Sequence, residues 1–287
     1  MKKTVMTILI FLAAAIMIVC LISAYICSRD VKLTKYEVPA DGLTGDVRLI
    51  VLADLHGNEY GEDNSVLISM AEAAKPDAIL LDGDMISRNA DEEDVERFLA
   101  FAEKLTAIAP VFYSTGNHEI DYMKENGEAL LERIAGAGVT VLYDDYVETE
   151  LAGQTLRIGG TSGHYRDINR EEQFDYAMQE EIGGAGVPAV VMMHMPENMV
   201  CDSARANWNA DLYISGHTHG GLLRLPGIGG VYAPTQGFFP EYDCGRYTVD
   251  GRLELIITSG LAGYGIIPRV FNRPEIVLIT LVPEEQG

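Results

Sequence analysis

Positive charge is scarce in this chain of 287 residues: 21 Lys and Arg stand against 43 Asp and Glu, a formal charge of -22 with an isoelectric point of ≈ 4.5. So few cations cannot build a basic face for counterion-driven nucleic-acid binding, and a polyanion-binding scaffold is all but excluded. The same carboxylates make a cation site easy to assemble. Cysteine is scarce as well. Of four, Cys20 and Cys27 lie in an apolar N-terminal run, which leaves Cys201 and Cys244 as one candidate pair or two unpaired core thiols. Internal repeats, low-complexity tracts and a Pro/Ser-rich linker are all missing, which favours one domain over two. An H-E-x-x-H helix motif is missing too, and a metal-dependent peptidase or amidase would be expected to carry one.

What is present begins with a hydrophobic run. Residues 5–27 carry no charge and follow Lys2 and Lys3, and about 20 apolar residues suffice to cross a bilayer as a helix. The run is too long, and its small-residue spacing too poor, for a cleaved signal, so it reads as an uncleaved anchor. Neither Cys20 nor Cys27 follows a small residue, and lipidation is not expected. The anchor predicts a single-pass protein of the cell membrane with an outward-facing body, the cytoplasmic face being the alternative. The organisation expected is a basic N-terminus at 1–4, an anchor at 5–27, a connector at 28–46 and one domain at 47–283.

The body is 48% hydrophobic and 22% charged overall, so it is neither disordered nor fibrous. Its first half alternates: helices are predicted at 63–74, 91–108 and 125–137, and strands at 47–53, 78–81, 111–114 and 139–142. The charges at 91–94 read as a solvated first turn. After Tyr146 come short strands at 156–158, 189–193, 212–214, 246–249 and 253–257, the last two around an Asp250-Gly251 turn, and this half is expected to be antiparallel sheet.

Histidine numbers only six, yet five stand where an apolar run ends: His56, His118, His194, His217 and His219. Asp54-x-His56 follows the first strand, Gly83-Asp84 the next, Gly116-Asn117-His118-Glu119 the third, then His194-Met195-Pro196 and Gly216-His217-Thr218-His219. Alternate residues of an extended tip point the same way, so each i, i+2 pair is expected to bite one cation. Any one tip reads more plainly as a helix cap or turn. Together they bring two Asp, one Asn and five His to the edge of a sheet where α/β folds place ligands. Imidazole with carboxylate suits Mn, Fe, Zn or Co, and seven candidate ligands exceed the needs of one ion. Two divalent ions about 3.5–4 Å apart would lower the pKa of a shared water and clamp an in-line displacement, which points to phosphoester hydrolysis.

The motif order D-x-H, G-D, G-N-H-E, H-x-P, G-H-T-H resembles the calcineurin-like metallophosphoesterase family over about residues 47–281. The resemblance implies an α/β fold, a four-layer αββα sandwich with two mixed β-sheets, here preceded by a transmembrane helix. It implies that Asp54, His56, Asp84 and His219 hold one ion, that Asp84, Asn117, His194 and His217 hold the other, and that His118 is the catalytic acid. The tail around Gly260-Leu261-Ala262 and 267–276 looks like that of the membrane-associated bacterial branch. Ser259 stands where that branch tends to have Arg, with Arg269 or Arg273 as replacements; Arg269 and the loop residue His164 are the substrate-contact candidates. Ser87-Arg88 replaces the Asp-Arg of protein phosphatases, so protein phosphatase activity is not expected.

The expected function is a membrane-anchored, binuclear phosphoesterase cleaving mono- or diesters by metal-hydroxide attack. Its partners are membrane lipid through the helix and a phosphoester substrate. Lipid-linked esters such as UDP-diacylglucosamine-type pyrophosphates, wall polymers and extracellular nucleotides all fit. The alternative is a non-catalytic metal-binding membrane receptor or scaffold, which would have no need of a free imidazole beside Asn117.

Overall fold

A computed structural model describes residues 2–163, 177–184, 186–200, 208–263 and 267–284. Helix α1 (Lys2–Cys27) contains the apolar run, with a mean hydropathy of 3.1 over its most apolar window, none of which is buried. Among the described residues it is the one helix long and apolar enough to cross a membrane. Its last turn is different: Ser23 and Cys27 are buried against the body.

Strands β1 (Lys32–Ala40), β2 (Val47–Leu52), β3 (Ala78–Asp82), β4 (Val111–Ser114) and β5 (Thr140–Val141) come first. They alternate with helices α2 (Ser65–Ala74), α3 (Glu92–Thr106), α4 (Asn117–Asn126) and α5 (Ala129–Gly136). Next are β6 (Asp145–Leu151), β7 (Gln154–Gly160), α6 (Ala177–Glu181), β8 (Ala189–Met192), α7 (Glu197–Val200) and β9 (Leu212–Ser215). Two small ribbons follow, β10 (Arg224–Leu225) with β11 (Gly229–Gly230) and β12 (Tyr232–Ala233) with β13 (Gly237–Phe238), and then β14 (Gly245–Val249), β15 (Leu253–Ile257) and β16 (Glu275–Pro283).

Two six-stranded sheets result, ordered β1-β16-β2-β3-β4-β5 and β14-β15-β9-β8-β7-β6. The alternation of β2 shows why they stack. Leu49 and Val51 face Leu156, Val190, Ile214 and Ile256 of the second sheet in the central core. Ile50 and Leu52 face α2 to α5 on the outer side with Phe98, Phe101 and Ile134. The second sheet buries its other face, Val191, Tyr213 and Ile257, against Met178, Met199 and Trp208. The order of layers is helix, sheet, sheet, helix.

Local chemistry sets several boundaries. Asp91 caps α3 through the Asp94 N–H while the Asp94 carboxylate accepts from the Asp91 N–H, a reciprocal cap that starts the helix where the acidic cluster lies. The helix expected at 125–137 divides, because Gly127 at φ 84° ends α4 and α5 begins at Ala129. Asp250 and Gly251, at φ 53° and 68°, make the expected turn between β14 and β15. Two expectations are corrected. The stretch taken as a connector holds β1, which pairs in parallel with β16 from Lys32 opposite Glu275 to Ala40 opposite Pro283. The second sheet is not mainly antiparallel: β15-β9, β9-β8 and β8-β7 are parallel and only its outer pairs are antiparallel.

Candidate metal centre

The strand-end loops of both sheets are laced together by main-chain hydrogen bonds. The Asp54 N–H donates to Gly83 O, His56 N–H to Asp84 O, Gly216 N–H to His194 O, and Ala262 N–H to Asp54 O. The His217 N–H crosses to Asp54 Oδ1 at 3.0 Å. Asp54, His56, Asp84, Asn117, His118, His194, His217 and His219 therefore gather at one place, as expected, but the expected local reason is wrong. The tips are not extended: Asp54, His56, Asp84, His217 and His219 all have φ between 48° and 66°, so tight left-handed turns rather than strand alternation aim the ligands.

Three overlapping groups have ligand atoms within 4.8 Å of one another: Asp54 with His56 and His219, His56 with Asp84 and His118, and Asp84 with His194 and His217. Asp84 sits between them. Its Oδ1 accepts the His118 N–H at 2.8 Å, while Oδ2 lies 3.2 Å from His194 Nε2, 3.7 Å from His56 Nε2 and 4.0 Å from His118 Nε2. Asp54 Oδ1 lies 3.8 to 3.9 Å from His194, His56 and His219 Nε2.

The donor set fits divalent transition metal. His194 Nδ1 lies 2.7 Å from Asp82 O and His219 Nδ1 3.1 Å from Ala262 O; each contact needs the proton on Nδ1 and leaves the Nε2 lone pair facing the carboxylates. His56 Nε2, His194 Nε2, His217 Nε2 and Asn117 Oδ1 are buried with no hydrogen-bond partner, an arrangement costly without a ligand. Burial holds His56 near pKa 3, His219 near 4 and His217 well below its ordinary value, so these imidazoles are neutral donors. Burial works the same way on His194, but the charges of Asp84, Asp54 and Asp82 outweigh it and raise that group.

Glycines let the loops approach. A Cβ on Gly260, which is at φ 66°, would stand 2.3 Å from Asp54 Oδ2. Glu119 is the residue that reading the sequence missed: its buried carboxylate accepts from the Asp84, Ile86 and Gly116 N–H groups at 2.8, 3.1 and 2.8 Å, clamping two tips together. The signal was available, a glutamate three residues after the N-cap glycine of α4.

Over the ligands opens a cavity of ≈ 510 Å³, walled by Asn117, His118, His217 and His219 with Arg88, Lys124, Pro234 and Thr235. His118 Nδ1 accepts from the Arg88 main-chain N–H at 3.2 Å, while Ser87 donates to His56 O. A main-chain amide thus fixes the orientation of the His118 ring. Burial lowers the His118 pKa, and the nearby Arg88 charge adds to this. Arg269 is elsewhere. It is 4% exposed, donates to Ala262 O and Ser259 O, and lines a separate cavity of ≈ 220 Å³. The structure places Arg269, a substrate-contact candidate, where it supports the 259–262 loop. Cys244 is unpaired by disulfide; Cys201 and His164 lie outside the described residues.

The likenesses to known proteins agree with this geometry. Residues 47–221 match the model of the calcineurin-like phosphoesterase family. The chain is 27% identical over 241 residues to Phosphodiesterase YaeI of Escherichia coli (strain K12), with 82% of each covered. It is 26% identical over 264 residues to a Helicobacter pylori (strain J99) protein named as an uncharacterized metallophosphoesterase, covering 89% of this chain and 65% of that one. The solved structure of TT1561 of Thermus thermophilus aligns at 12% identity and a TM-score of 0.43, covering 75% of this chain and 90% of that one. A family match spanning the cluster from Asp54 to His219, around a centre fit for metal, means that this chain belongs to the calcineurin-like phosphoesterase family and is a metal-dependent phosphoric ester hydrolase.

Proposed function

We propose that the chain is a membrane-anchored binuclear phosphodiesterase. One ion is assigned to Asp54, His56, Asp84 and His219 and the other to Asp84, Asn117, His194 and His217. The observation that carries this is Asp84, whose carboxylate is common to two ligand groups while Asn117 Oδ1 lies buried without a partner beside it. Divalent ions bound there would supply Lewis-acid activation of water and charge neutralisation for an in-line displacement.

The chain's own groups supply the rest. With Nδ1 accepting from Arg88 N–H, the proton of a neutral His118 lies on Nε2, which is 3.2 Å from Arg88 Nη2. Arg88 Nη1 holds the Asp121 carboxylate at 3.3 Å, while its Nη2 and the His118 N–H face each other, and a phosphate oxygen is the group that would satisfy both of these donors. An arriving phosphate also favours the charged form of His118, countering the effect of burial. Arg88 and Lys124, which hold the Asp121 carboxylate between them at 3.3 and 3.0 Å, turn from it to the arriving phosphate, and His118 donates the proton to the leaving oxygen. Diester preference is carried over from the name of the E. coli relative. The anchor favours an amphiphilic substrate, a phosphoester held at the same surface as the enzyme.

The test strips the full chain of metal in detergent, reloads it with Mn, Fe, Co or Zn, and assays p-nitrophenyl phosphate against its bis-ester. Expected is metal-restored hydrolysis favouring the bis-ester. Asp84→Asn should lose more than about 100-fold, since outer partners of metal ligands alone are worth about 10–100-fold. Fully loaded protein that cleaves neither ester would overturn the catalytic assignment.

A further inference from the structure

Outside α1, eight large apolar side chains are exposed among the described residues, and six of them lie on the two ribbons and the 267–271 segment: Ile228, Tyr232, Phe238, Phe239, Ile267 and Phe271. Scattered singly these would need no explanation. Here four of them meet in two pairs. Tyr232 and Phe238 meet across the β12-β13 ribbon with ring centroids 5.4 Å apart, and the Phe239 N–H returns to Val231 O. Ile228 and Phe271 share a groove of ≈ 420 Å³, and Leu223 bridges to Val270. The same surface is fixed to the apolar helix: the Phe271 N–H donates to Ser23 Oγ at 2.7 Å, and Ile267 shares a cavity with Ala24 and Cys27.

We propose that the two ribbons and the 267–271 segment form an apron that rests in the interfacial layer of the bilayer entered by α1, a reading that depends on α1 being an anchor. Lipid is the occupant because this apolar surface is tied to the apolar helix at Phe271 and Ile267, and because Tyr, Phe and Ile mixed in this way suit the membrane interface. A chain of net charge -22 gains nothing from anionic headgroups, so apolar burial holds the contact and salt does not weaken it. The consequence reaches the metal centre. Pro234 and Thr235, in the turn of the same β12-β13 ribbon, wall the cavity over the histidines. With Phe238 in the interface, the cavity mouth opens at headgroup level, and the substrate class is a phosphoester whose acyl tail stays in the bilayer.

The test places the full chain in phosphatidylcholine nanodiscs with brominated acyl chains and reads tryptophan quenching. The native Trp208 is 1% exposed and serves as the background. Phe11→Trp reports the anchor; Phe238→Trp and Ile228→Trp report the apron from two independent positions. Expected is quenching of the hairpin tryptophans that is strongest for bromines within about 10 Å of the headgroup boundary, quenching of Phe11→Trp by deeper bromines, and no change at high salt. Quenching of Phe11→Trp alone would overturn the apron and leave the anchor standing. No quenching at any site would overturn the anchor and the apron with it. Hairpin emission that shifts blue only as more chains are loaded per disc would assign the surface to a second copy and overturn the proposal.

Discussion

Asp54, His56, Asp84, His217 and His219 each hold a left-handed backbone, which costs of order 1 kcal/mol at a non-glycine residue and persists where the surroundings over-determine it. Here the surroundings are the hydrogen bonds between strand tips and the Glu119 clamp. Asp and His tolerate that region better than most residues, so the side chains required as ligands are also those that the turns accept. His118 differs: its role rests on an N–H aimed into the cavity. His118→Asn should leave metal content unchanged, lower turnover of an alkyl diester by about 10²–10⁴-fold, and lower that of a p-nitrophenyl ester far less, because p-nitrophenolate leaves without a proton. Paired kinetics with metal analysis checks this, and equal losses would contradict the acid role. The clustering of the candidate ligands was legible because few residue types bind metal and they fell at strand ends. Glu119, Arg88 and Lys124 were not, since a charged residue in a helix or a turn reads the same whether it faces solvent, a cavity or a buried amide.

At the level of elements, β1 and β16 join α1 to the centre through one buried carboxylate. Glu275 pairs with Lys32 at 2.8 Å and accepts the Thr34 hydroxyl and the Ser259 N–H, and Ser259 precedes the glycine pressed against Asp54. Burial alone would raise the pKa of Glu275, but the Lys32 charge and hydrogen bond, with the Ser259 amide and Thr34 hydroxyl, hold it below its ordinary value. A carboxylate with a depressed folded-state pKa adds stability that is complete above the unfolded value of about 4.3 and is lost as pH falls through the folded value. Lys32→Met should therefore unfold at lower urea than the parent at neutral pH, the gap closing as pH falls below about 4. Midpoints across pH check this; a gap independent of pH would contradict the ion pair's role. β1 escaped the sequence reading because its pattern, half-exposed with Pro39 near its end, is that of an edge strand and matches a connector equally well. The direction of the second sheet escaped because a run of four apolar residues is the same whichever way its neighbours run.

For the whole molecule, the four layers meet at the centre, so an ion there bridges loops from both sheets and binds only the folded chain. Ligand binding stabilises by about 2.7 kcal/mol at 100 times Kd. Chelation should lower the melting temperature, re-addition of Mn or Zn should raise it with concentration, and Asp84→Asn should lose most of that response. Emission of Trp208, stacked on Tyr213 in the outer core of the second sheet, follows unfolding directly; a melting temperature that chelation leaves unmoved would argue against the shared centre. The layered architecture was legible through motif order. The return of β16 between β1 and β2 was not, because that pairing joins residues 32–40 and 47–51 to 275–283 and no local pattern encodes so distant a register.

The parallel register of β1 with β16 also has a mechanical side. The helix leads directly into the strand that runs nine residues beside the last strand of the same sheet. A pull on the helix along that strand loads the row of hydrogen bonds together, in shear, rather than opening them one at a time like a zipper. Force applied through α1 would then be shared by the whole row, from Lys32 opposite Glu275 to Ala40 opposite Pro283.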